Sequence, residues 1–448
     1  MQIEGTYKEI WKIALPIILG SLANSINQLI DTAYLGHYSK VALDAVTLSG
    51  IFYFNATFVA GGFARGCQII IARYNGEMNY KKIGKAYDHL LVFSILLSLL
   101  IMLFFKYAGP AIIELSIDSI QIQKEAMLYI EYMNYGVPAV VFALCFNAFY
   151  SGIGKTRIIT IATVSMTVAN CILGYLLIYG KLGLPELGIK GAAIATTISN
   201  YILMAIYIVY FIRQQHAKWY SALQFNAIRI KQFKKIIDLS TPIVIQNLIG
   251  FSSWQYFFLC VEKIGEHELA VSGILKSIYI FLGIPVWSLA TANNTIISNI
   301  IGQKKLENVV PALIKVLVLT VGISIGLTLM VLVFSDPVLS LFTNDAVILK
   351  DAIAPFYTLL FAMIFFSSAM IMNQGITGTG ATSIPAIVEL ICAFIYIAYC
   401  YYFIQLHHSK LYIAWGCEAV YWFCLAFFNV IYWGSGTWRK YIQKVDAE

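Results

Sequence analysis

Charged residues are scarce in this sequence, and their scarcity excludes most classes of soluble protein. Asp, Glu, Lys and Arg together make up 12% of the 448 residues, whereas 60% of the residues are apolar. An ordinary soluble domain has about 25% charged residues. A water-soluble fold could not bury the surplus apolar surface, so the composition indicates a chain that crosses a membrane many times.

Several chemical motifs are also missing. The eight cysteines lie in apolar runs without a CxxC pair, which argues against disulfides and thiolate metal clusters. The six histidines lie mostly in loops and near the ends of apolar runs, so no intramembrane metal cluster is predicted. We find no phosphate-binding GxxxxGK[ST] loop, no catalytic constellation and no selectivity-filter loop. We therefore predict neither an ATP-driven pump, nor an enzyme, nor a channel, and expect no cofactor besides a coupling ion.

The long apolar runs predict twelve membrane spans. Each run has the roughly 20 residues that a bilayer requires. They occur at 10–35, 45–72, 88–108, 127–150, 158–179, 189–212, 236–260, 269–300, 311–334, 351–375, 385–405 and 411–433. With an even number of spans both termini face the same side. The loops on that side carry more than twice as many Lys and Arg as the opposite loops, so both termini are predicted to be cytoplasmic.

The net charge of +7 does not indicate a nucleic-acid partner, because the basic residues lie in short loops between apolar runs. The longest basic segment, 213–235, lies close to the middle of the chain and is predicted to link two halves. Its simplest interpretation is a solvated cytoplasmic loop held near anionic lipid. The lipid bilayer is therefore the expected partner, and no obligate protein partner is inferred.

Landmarks in the first half recur in the second at one constant offset along the chain. Pro16 recurs as Pro242, and Gly76 recurs as Gly302. The run Gly152-x-Gly154-x-Thr156 recurs as Gly378-x-Gly380-x-Thr382. Six spans per half make this a parallel repeat. In membrane transporters that are built from repeats, the binding sites lie at or beside the repeat interface. We predict an all-α integral membrane protein with two pseudo-symmetric six-helix bundles, residues 1–220 (spans 1–6) and 221–448 (spans 7–12).

The first span carries the clearest functional signal. Ser21, Asn24, Asn27 and Gln28 recur at helical spacing and end at a carboxylate, Asp31. Residues three and four apart share one face of a helix, so this stripe can line a cavity while the other faces meet lipid. A carboxylate within the hydrocarbon is costly, about 3 kcal/mol on insertion scales, and such residues usually serve ions, protons or substrates. The alternative is that Asp31 lies near the membrane surface and is merely hydrated.

Pro16 precedes Asp31 by fifteen residues, or roughly 22 Å of helix. Proline removes a helical hydrogen bond and permits a kink, so a bend here could couple the charge of Asp31 to the shape of the span. The alternative is a proline that is simply tolerated in the first turns of a helix.

Further polar residues are candidates for the same or a second site. Asn170 in span five and Thr196 and Thr197 in span six offer neutral oxygens which, beside one carboxylate, suit a small hard cation such as Na⁺. Small residues around Gly191 equally fit helix packing. Glu389, four residues after Pro385, and Glu418 are additional candidate intramembrane acids, whereas Arg65 and Lys276 either snorkel to an interface or have a function.

Taken together, these residues resemble the multidrug and toxic compound extrusion (MATE) transporters of prokaryotic type, over essentially the whole chain. The resemblance rests on four stretches, which are Pro16…Asp31 followed by Gly36, the run from Gly152 to Arg157, the run from Asn170 to Gly188, and Gly191-Ala-Ala-Ile-Ala-Thr. The resemblance implies a V-shaped pair of lobes and a first-lobe ion site at Asp31, Asn170 and Thr196.

The sequence departs from the family pattern at two places. Many members have an Asp four residues after the Asn of span five, where this chain has Gly174. Members that resemble the NorM branch have a Glu in span seven and an Asp in span ten, and these positions align with Gly250 and about Ser367 here. The first departure leaves H⁺ and Na⁺ both open, and the second predicts that the acidic site of the second lobe is absent unless Glu389 or Glu262 replaces it.

The resemblance implies a secondary active exporter in the bacterial inner membrane, which exchanges small organic, often cationic compounds for H⁺ or Na⁺ by alternating access. A flippase for lipid-linked oligosaccharides, from the same superfamily, is the alternative. Such a flippase usually needs a strongly basic cavity, and only Arg65 and Lys276 are basic residues deep in spans.

Overall fold

The computed structural model describes residues 2–225, 229–343, 345–440 and 442, and these residues form helices and connecting turns without a strand. The helices before the middle of the chain are α1 (Tyr7–Tyr38), α2 (Lys40–Gly76), α3 (Tyr80–Tyr107), α4 (Gly109–Ser116), α5 (Ile120–Asn134), α6 (Val137–Gly152), α7 (Arg157–Tyr179), α8 (Gly188–Arg213) and α9 (His216–Tyr220). Those after it are α10 (Ile230–Glu262), α11 (Glu266–Gly302), α12 (Val309–Val333), α13 (Ser335–Ser340), α14 (Ala346–Gly378), α15 (Ser383–Tyr399), α16 (Leu411–Ala414) and α17 (Gly416–Gly434). A π-helix, Cys400–Leu406, continues α15.

The predicted all-α membrane fold is confirmed, with two differences in the spans. Within the described residues, ten helical segments are long and apolar enough to cross a membrane. The helices α5 and α6 together form an eleventh segment of this kind, which is bent by 53° where α6 begins. Pro138, in the first turn of α6, has no N–H to donate. The remaining predicted span corresponds to α10, which is 33 residues long but has Gln246 and Asn247 within its apolar part.

The structure divides into two compact units at a different place from the predicted boundary. One unit contains Leu15–Ser240, and the other contains Gln2–Ala14 together with the residues from Thr241 onward. The N-terminal residues join the second unit because both backbone groups of Ile3 are bound there. Its N–H donates to Asn299 Oδ1 at 2.9 Å, and its carbonyl accepts from Gln303 Nε2 at 2.8 Å.

The repeated landmarks mark equivalent helix ends in the two units. Helices α2 and α11 end at Gly76 and Gly302, one of the repeated pairs. Shortly after α6 and α14 end, Gly154 and Gly380 take φ values of +72° and +90°. Only glycine adopts this conformation readily, which explains why the glycines recur where other residues differ.

The basic segment 213–235 is bound to the first unit rather than merely solvated, apart from 226–228, which lie outside the described residues. The Asp88 carboxylate of α3 accepts three backbone hydrogen bonds, from Leu223 at 2.6 Å, Gln224 at 3.1 Å and Phe225 at 3.3 Å. The next residue, His89, accepts from the Arg229 N–H at 3.0 Å. The side chains of Leu223, Gln224 and Phe225 are exposed, as the interpretation of a solvated loop expects, while buried side chains of α3 bind the loop backbone.

A buried histidine fixes the start of the same segment. His216 is 1% exposed, and its Nε2 lies 3.4 Å from Lys155 Nζ. The rings around it are those of Phe149, Tyr150, Tyr210, Phe211 and Tyr220. Burial, and to a smaller extent the Lys155 charge, lowers the pKa of His216 from its ordinary 6.5 to about 4.

This lowered pKa predicts that the docking of the segment weakens in acid. The segment docks with His216 neutral. The contribution of this histidine to the stability of the docked state is therefore fully present above pH 6.5 and is lost as the pH falls toward about 4. Hydrogen exchange at the Leu223–Phe225 amides, corrected for intrinsic rates, measures the opening free energy near pH 7 and near pH 5. His216→Phe keeps the buried ring, and we expect it to remove the pH dependence. An equal pH dependence in this variant contradicts the assignment.

Asp88→Asn should weaken the docking at every pH instead. It replaces an acceptor of three charge-assisted bonds, and a buried bond to a charged group contributes about 1.5–3 kcal/mol. The same hydrogen-exchange measurement should therefore show faster exchange of the three amides. Asp118→Asn is the control, because Asp118 is exposed and should leave the amides protected. Unchanged protection in Asp88→Asn means that other contacts hold the segment.

Candidate functional site

Asp31 lies near the end of α1 and pairs with a residue one turn earlier. Asn27 Nδ2 donates to Asp31 Oδ2 at 3.2 Å, and Asn27 is buried whereas Asp31 is half-buried. Asn24 and Gln28, which belong to the same predicted polar stripe, are exposed. The stripe therefore divides, and only the Asn27–Asp31 part forms a partly enclosed polar site.

Asn170 and Thr196 form a second pair, between α7 and α8. Asn170 is 1% exposed, and its Nδ2 donates to Thr196 Oγ1 at 3.1 Å. The two helices approach closely because Gly191 has no side chain, and a Cβ there would lie 2.5 Å from the Leu177 carbonyl. The glycine thus has a packing role. Thr197 faces away from the pair and donates to the Tyr132 carbonyl at 3.1 Å.

Aromatic residues connect the two pairs. Asp31 lies within electrostatic range of Cys171, which follows Asn170 on α7, and of Tyr34 and Tyr129. The Tyr34 hydroxyl donates to the Cys171 carbonyl at 3.4 Å, which joins α1 to α7 at this level. The structure thus brings Asp31 to the same region as Asn170 and Thr196, although each pair has its own hydrogen bond.

Two amide oxygens in this region are available to a ligand. Asn27 Oδ1 and Asn170 Oδ1 are both buried and have no hydrogen-bond partner among the described residues. Together with the Asp31 carboxylate and the Thr196 hydroxyl, the residues of the two pairs offer hard oxygen donors and one negative charge on neighbouring helices. Such a set suits a proton or a small cation such as Na⁺.

Gly174 leaves space beside this set. A Cβ at position 174 would lie 3.5 Å from the Tyr34 ring and 3.7 Å from Asn170 Oδ1, which are ordinary van der Waals distances. A small side chain therefore fits at this position, so steric crowding does not explain the glycine.

The proline of α1 lies where α7 is attached by hydroxyl groups. Thr160 Oγ1 donates to the Pro16 carbonyl at 2.5 Å, and seven residues later Thr167 Oγ1 donates to the Ala23 carbonyl at 3.2 Å. Pro16 itself lies inside a continuous helix. Its missing N–H weakens α1 locally, while the two threonines hold the weakened stretch against α7.

The additional acids are buried inside the second unit. Glu389 of α15 is 5% exposed and accepts from the Tyr421 hydroxyl and from Gln246 Nε2 at 3.4 Å. Glu418 of α17 is 2% exposed and accepts from Tyr396 at 2.9 Å and from Trp422 at 3.0 Å. The second unit therefore contains buried carboxyls, although Gly250 and Ser367 stand at the positions where the resemblance expects them.

The basic residue Lys276 lies beside two aromatic rings. Its Nζ lies 5.2 Å from the ring centroids of both Trp254 and Phe258, which is cation–π distance. Aromatic rings of α10 therefore surround the ammonium group.

Sequence reasoning placed Asn27 in the polar stripe of the first span, but it did not single out Tyr34 or Gln246 as site residues. Asn27 and Gln246 carried a signal, because each is an amide within an apolar run. Tyr34 carried none, because tyrosine is abundant throughout the chain.

Similar proteins carry names that concern drug resistance. The chain is 24% identical to "Probable multidrug resistance protein NorM" of Thermotoga maritima over 385 residues, which is 86% of this chain and 82% of that protein. It is 22% identical to "Multidrug resistance protein MdtK" of Pectobacterium atrosepticum over 344 residues, 76% of this chain and 75% of that one.

Solved structures share the fold along almost the whole length. A multidrug resistance MATE family transporter of the MOP superfamily in an outward-facing conformation superposes with a TM-score of 0.87 at 20% identity, covering 98% of this chain and 97% of that one. A MOP superfamily transporter from Pyrococcus furiosus, described as having a binding pocket of reverse polarity, gives 0.89 at 20% identity, covering 98% and 96%.

The family model that matches this chain is MatE, and it matches twice, at residues 16–176 and 242–402. The two matched segments begin at Pro16 and Pro242, the first of the repeated pairs, and they have equal lengths, so the predicted repeat and its offset are confirmed. Because the two matches together cover well over half of the sequence, this multi-pass membrane protein belongs to the MatE family.

Proposed function

We propose that this protein is a secondary active exporter that moves small organic, often cationic compounds out of the cell in exchange for H⁺ or Na⁺. The names of the relatives, multidrug resistance proteins NorM and MdtK, support the substrate class. We further infer that it lies in the bacterial inner membrane with both termini in the cytoplasm, on the distribution of basic residues among its loops.

One observation carries the ion-coupling part of the proposal. Asp31 is a carboxylate within a membrane-spanning helix and is bonded to Asn27, and Tyr34 joins this helix to α7 beside Asn170, whose amide oxygen has no partner among the described residues. The hydrogen-bond partner of the half-buried carboxylate is a neutral amide, which does not compensate the negative charge. Binding a positive charge therefore stabilises the carboxylate. Thr196 orients Asn170 through their hydrogen bond, so its role is to position the amide.

The coupling step would use the bond between α7 and the proline-weakened stretch of α1. When Asp31 binds a cation, the charge that opposes burial is neutralised, and the more buried arrangement of α1 becomes favourable. Thr160 donates to the Pro16 carbonyl, so a change in the bend of α1 at Pro16 would break this hydrogen bond. A cation shifts the equilibrium between two transport conformations only if it binds one of them more tightly.

Asp31→Asn should abolish ion-driven efflux. The amide keeps the shape of the carboxylate but neither ionises nor takes up a proton, so we expect efflux of a fluorescent organic cation from proteoliposomes to fall by about tenfold or more. Asp44→Asn, the same change at the start of α2, is the control for folding and should retain transport. Full activity of Asp31→Asn under imposed proton and sodium gradients would sink the proposal.

Gly174→Asp should add a second carboxylate and make transport depend on sodium. The site has space for the Cβ at 3.5–3.7 Å from its neighbours, and a second negative charge beside oxygen ligands raises affinity for a metal cation. The expected result is stimulation of efflux by an inward sodium gradient beyond that of the parent. Gly174→Asn has nearly the same size without the charge and should give no stimulation. Equal behaviour of the two variants contradicts an ion site at this place.

A further inference from the structure

Glu389 is a buried carboxyl at the meeting point of four helices of the second unit. It belongs to α15, its hydrogen-bond partners come from α10 and α17, and Asn373 of α14 bonds to the α10 partner, Gln246. It is 5% exposed, and its hydrogen-bond partners are Tyr421 and Gln246, both of which are neutral. A carboxylate buried without a cation costs several kcal/mol, so this group favours binding a proton.

The glycine at position 250 of α10 makes room for this carboxyl. A Cβ at that position would lie 2.7 Å from Glu389 Oε1, which is closer than real Cβ contacts allow. The carboxyl thus occupies the space that a side chain on α10 would otherwise fill. Any movement of α10 against α15 must change the surroundings of Glu389.

The surrounding amides can serve both protonation states of Glu389. Gln246 Nε2 lies 3.4 Å from Glu389 Oε2 and 3.0 Å from Asn373 Oδ1, which matches an ionised carboxylate. A half-turn of both amides places Gln246 Oε1 at this position, where it can accept from a protonated Oε2 and from Asn373 Nδ2. The oxygen and nitrogen of an amide are nearly the same size, so the exchange needs little movement.

Asn373 provides an independent sign that the site is prepared for a small polar ligand. This residue is 1% exposed, and its Nδ2 has no hydrogen-bond partner among the described residues. A buried donor without a partner costs about 1–3 kcal/mol. Such a donor can hold a water molecule, which is the species that delivers or removes a proton.

Glu418 has a different environment and serves as an internal comparison. Each of its oxygens accepts one bond of ordinary length, from Tyr396 at 2.9 Å and from Trp422 at 3.0 Å. Neither donor is an amide: the Trp422 indole N–H can only donate, whereas the Tyr396 hydroxyl can also accept by turning its O–H. Glu418 therefore lacks the exchange of amide oxygen and nitrogen that Gln246 and Asn373 allow at Glu389.

We propose that Glu389, with Gln246, Asn373 and Tyr421, is a proton-binding site of the second unit that loads and releases one proton during each transport cycle. The titratable groups that face it are Tyr421 of α17 and Cys392 of its own helix; Cys424 lies within electrostatic range of Cys392, and Glu418 of Tyr421. The proton comes from water on one side of the membrane and returns to water on the other. Only this use in transport rests on the proposed exporter function; the exchange of a proton at Glu389 does not.

Infrared difference spectroscopy of the purified protein in lipid, between acid and alkaline pH, tests the proton site without transport. A protonated buried carboxyl has a resolved carbonyl-stretch band, which we expect to disappear at alkaline pH. Glu389→Gln should remove this band, whereas Asp31→Asn and Glu418→Gln should leave it in place. A band that is the same in Glu389→Gln and the parent overturns the proposal, whatever the transport assays show.

Proton release on substrate binding provides the link to the transport cycle. We expect Asp31 and Glu389 each to lose one proton when substrate binds. A pH-indicator titration of the detergent-solubilised protein should therefore show that the number of protons released falls by about half in Glu389→Gln. Tyr421→Phe keeps the ring and removes one donor, so release should persist with a shifted pH profile. Unchanged release in Glu389→Gln contradicts a role in transport.

Gly250→Ala tests the same site by packing. The added methyl group should displace the Glu389 carboxyl and shift its infrared band. Gly322→Ala is the matched control, because a Cβ at Gly322 of α12 meets nothing within 4 Å, and its band should equal that of the parent. An unshifted band in Gly250→Ala means that the carboxyl lies elsewhere.

Discussion

The cost of an unpaired polar group in a hydrocarbon environment governs this structure. The backbone meets this constraint by forming helices, in which almost every N–H and C=O is bonded within the same segment. Where a helix end or a loop interrupts the pattern, a side chain takes over. Asp88 binds three loop amides, and Asn299 and Gln303 bind the backbone of Ile3. Polar side chains within spans are therefore either structural donors of this kind or sites for a ligand.

Backbone geometry explains why the repeat could be recognised in the sequence although the polar and charged residues of the two units differ. Gly154 and Gly380 keep left-handed φ values because other residues resist that conformation. No such restriction protects a charge. At the repeat offset, Asp31 and Asn170 correspond to Phe257 and Tyr396, whose rings pack with centroids 6.4 Å apart. The same place in the fold thus holds an ion-site candidate in one unit and aromatic packing in the other.

Hydropathy and spacing were sufficient to predict the all-α membrane fold and the repeat. They could not predict the bend between α5 and α6, which depends on how Pro138 is accommodated, nor the docking of the linker onto Asp88 and His216. The contact between Glu389 and position 250 could not be predicted from the sequence either. It joins residues on separate helices, and the signal at position 250 is only the absence of a side chain. Contacts of long sequence separation leave no periodic pattern, so only the folded structure reveals them.

The candidate acids of the two units lie at different levels of the duplicated fold. Position 389 corresponds to Thr163, which lies seven residues before Asn170, so Glu389 sits about two helical turns, roughly 10 Å, from the level equivalent to the first site. Its partner Gln246 corresponds to Gly20, and a Cβ at Gly20 would lie 3.8 Å from Thr163 Oγ1. The same helix contact is therefore present in both units, made of glycine and threonine in one and of glutamine and glutamate in the other. Because helix packing fixes which positions meet, and not which chemistry they carry, an acid can be lost at one level and gained at another without disturbing the fold.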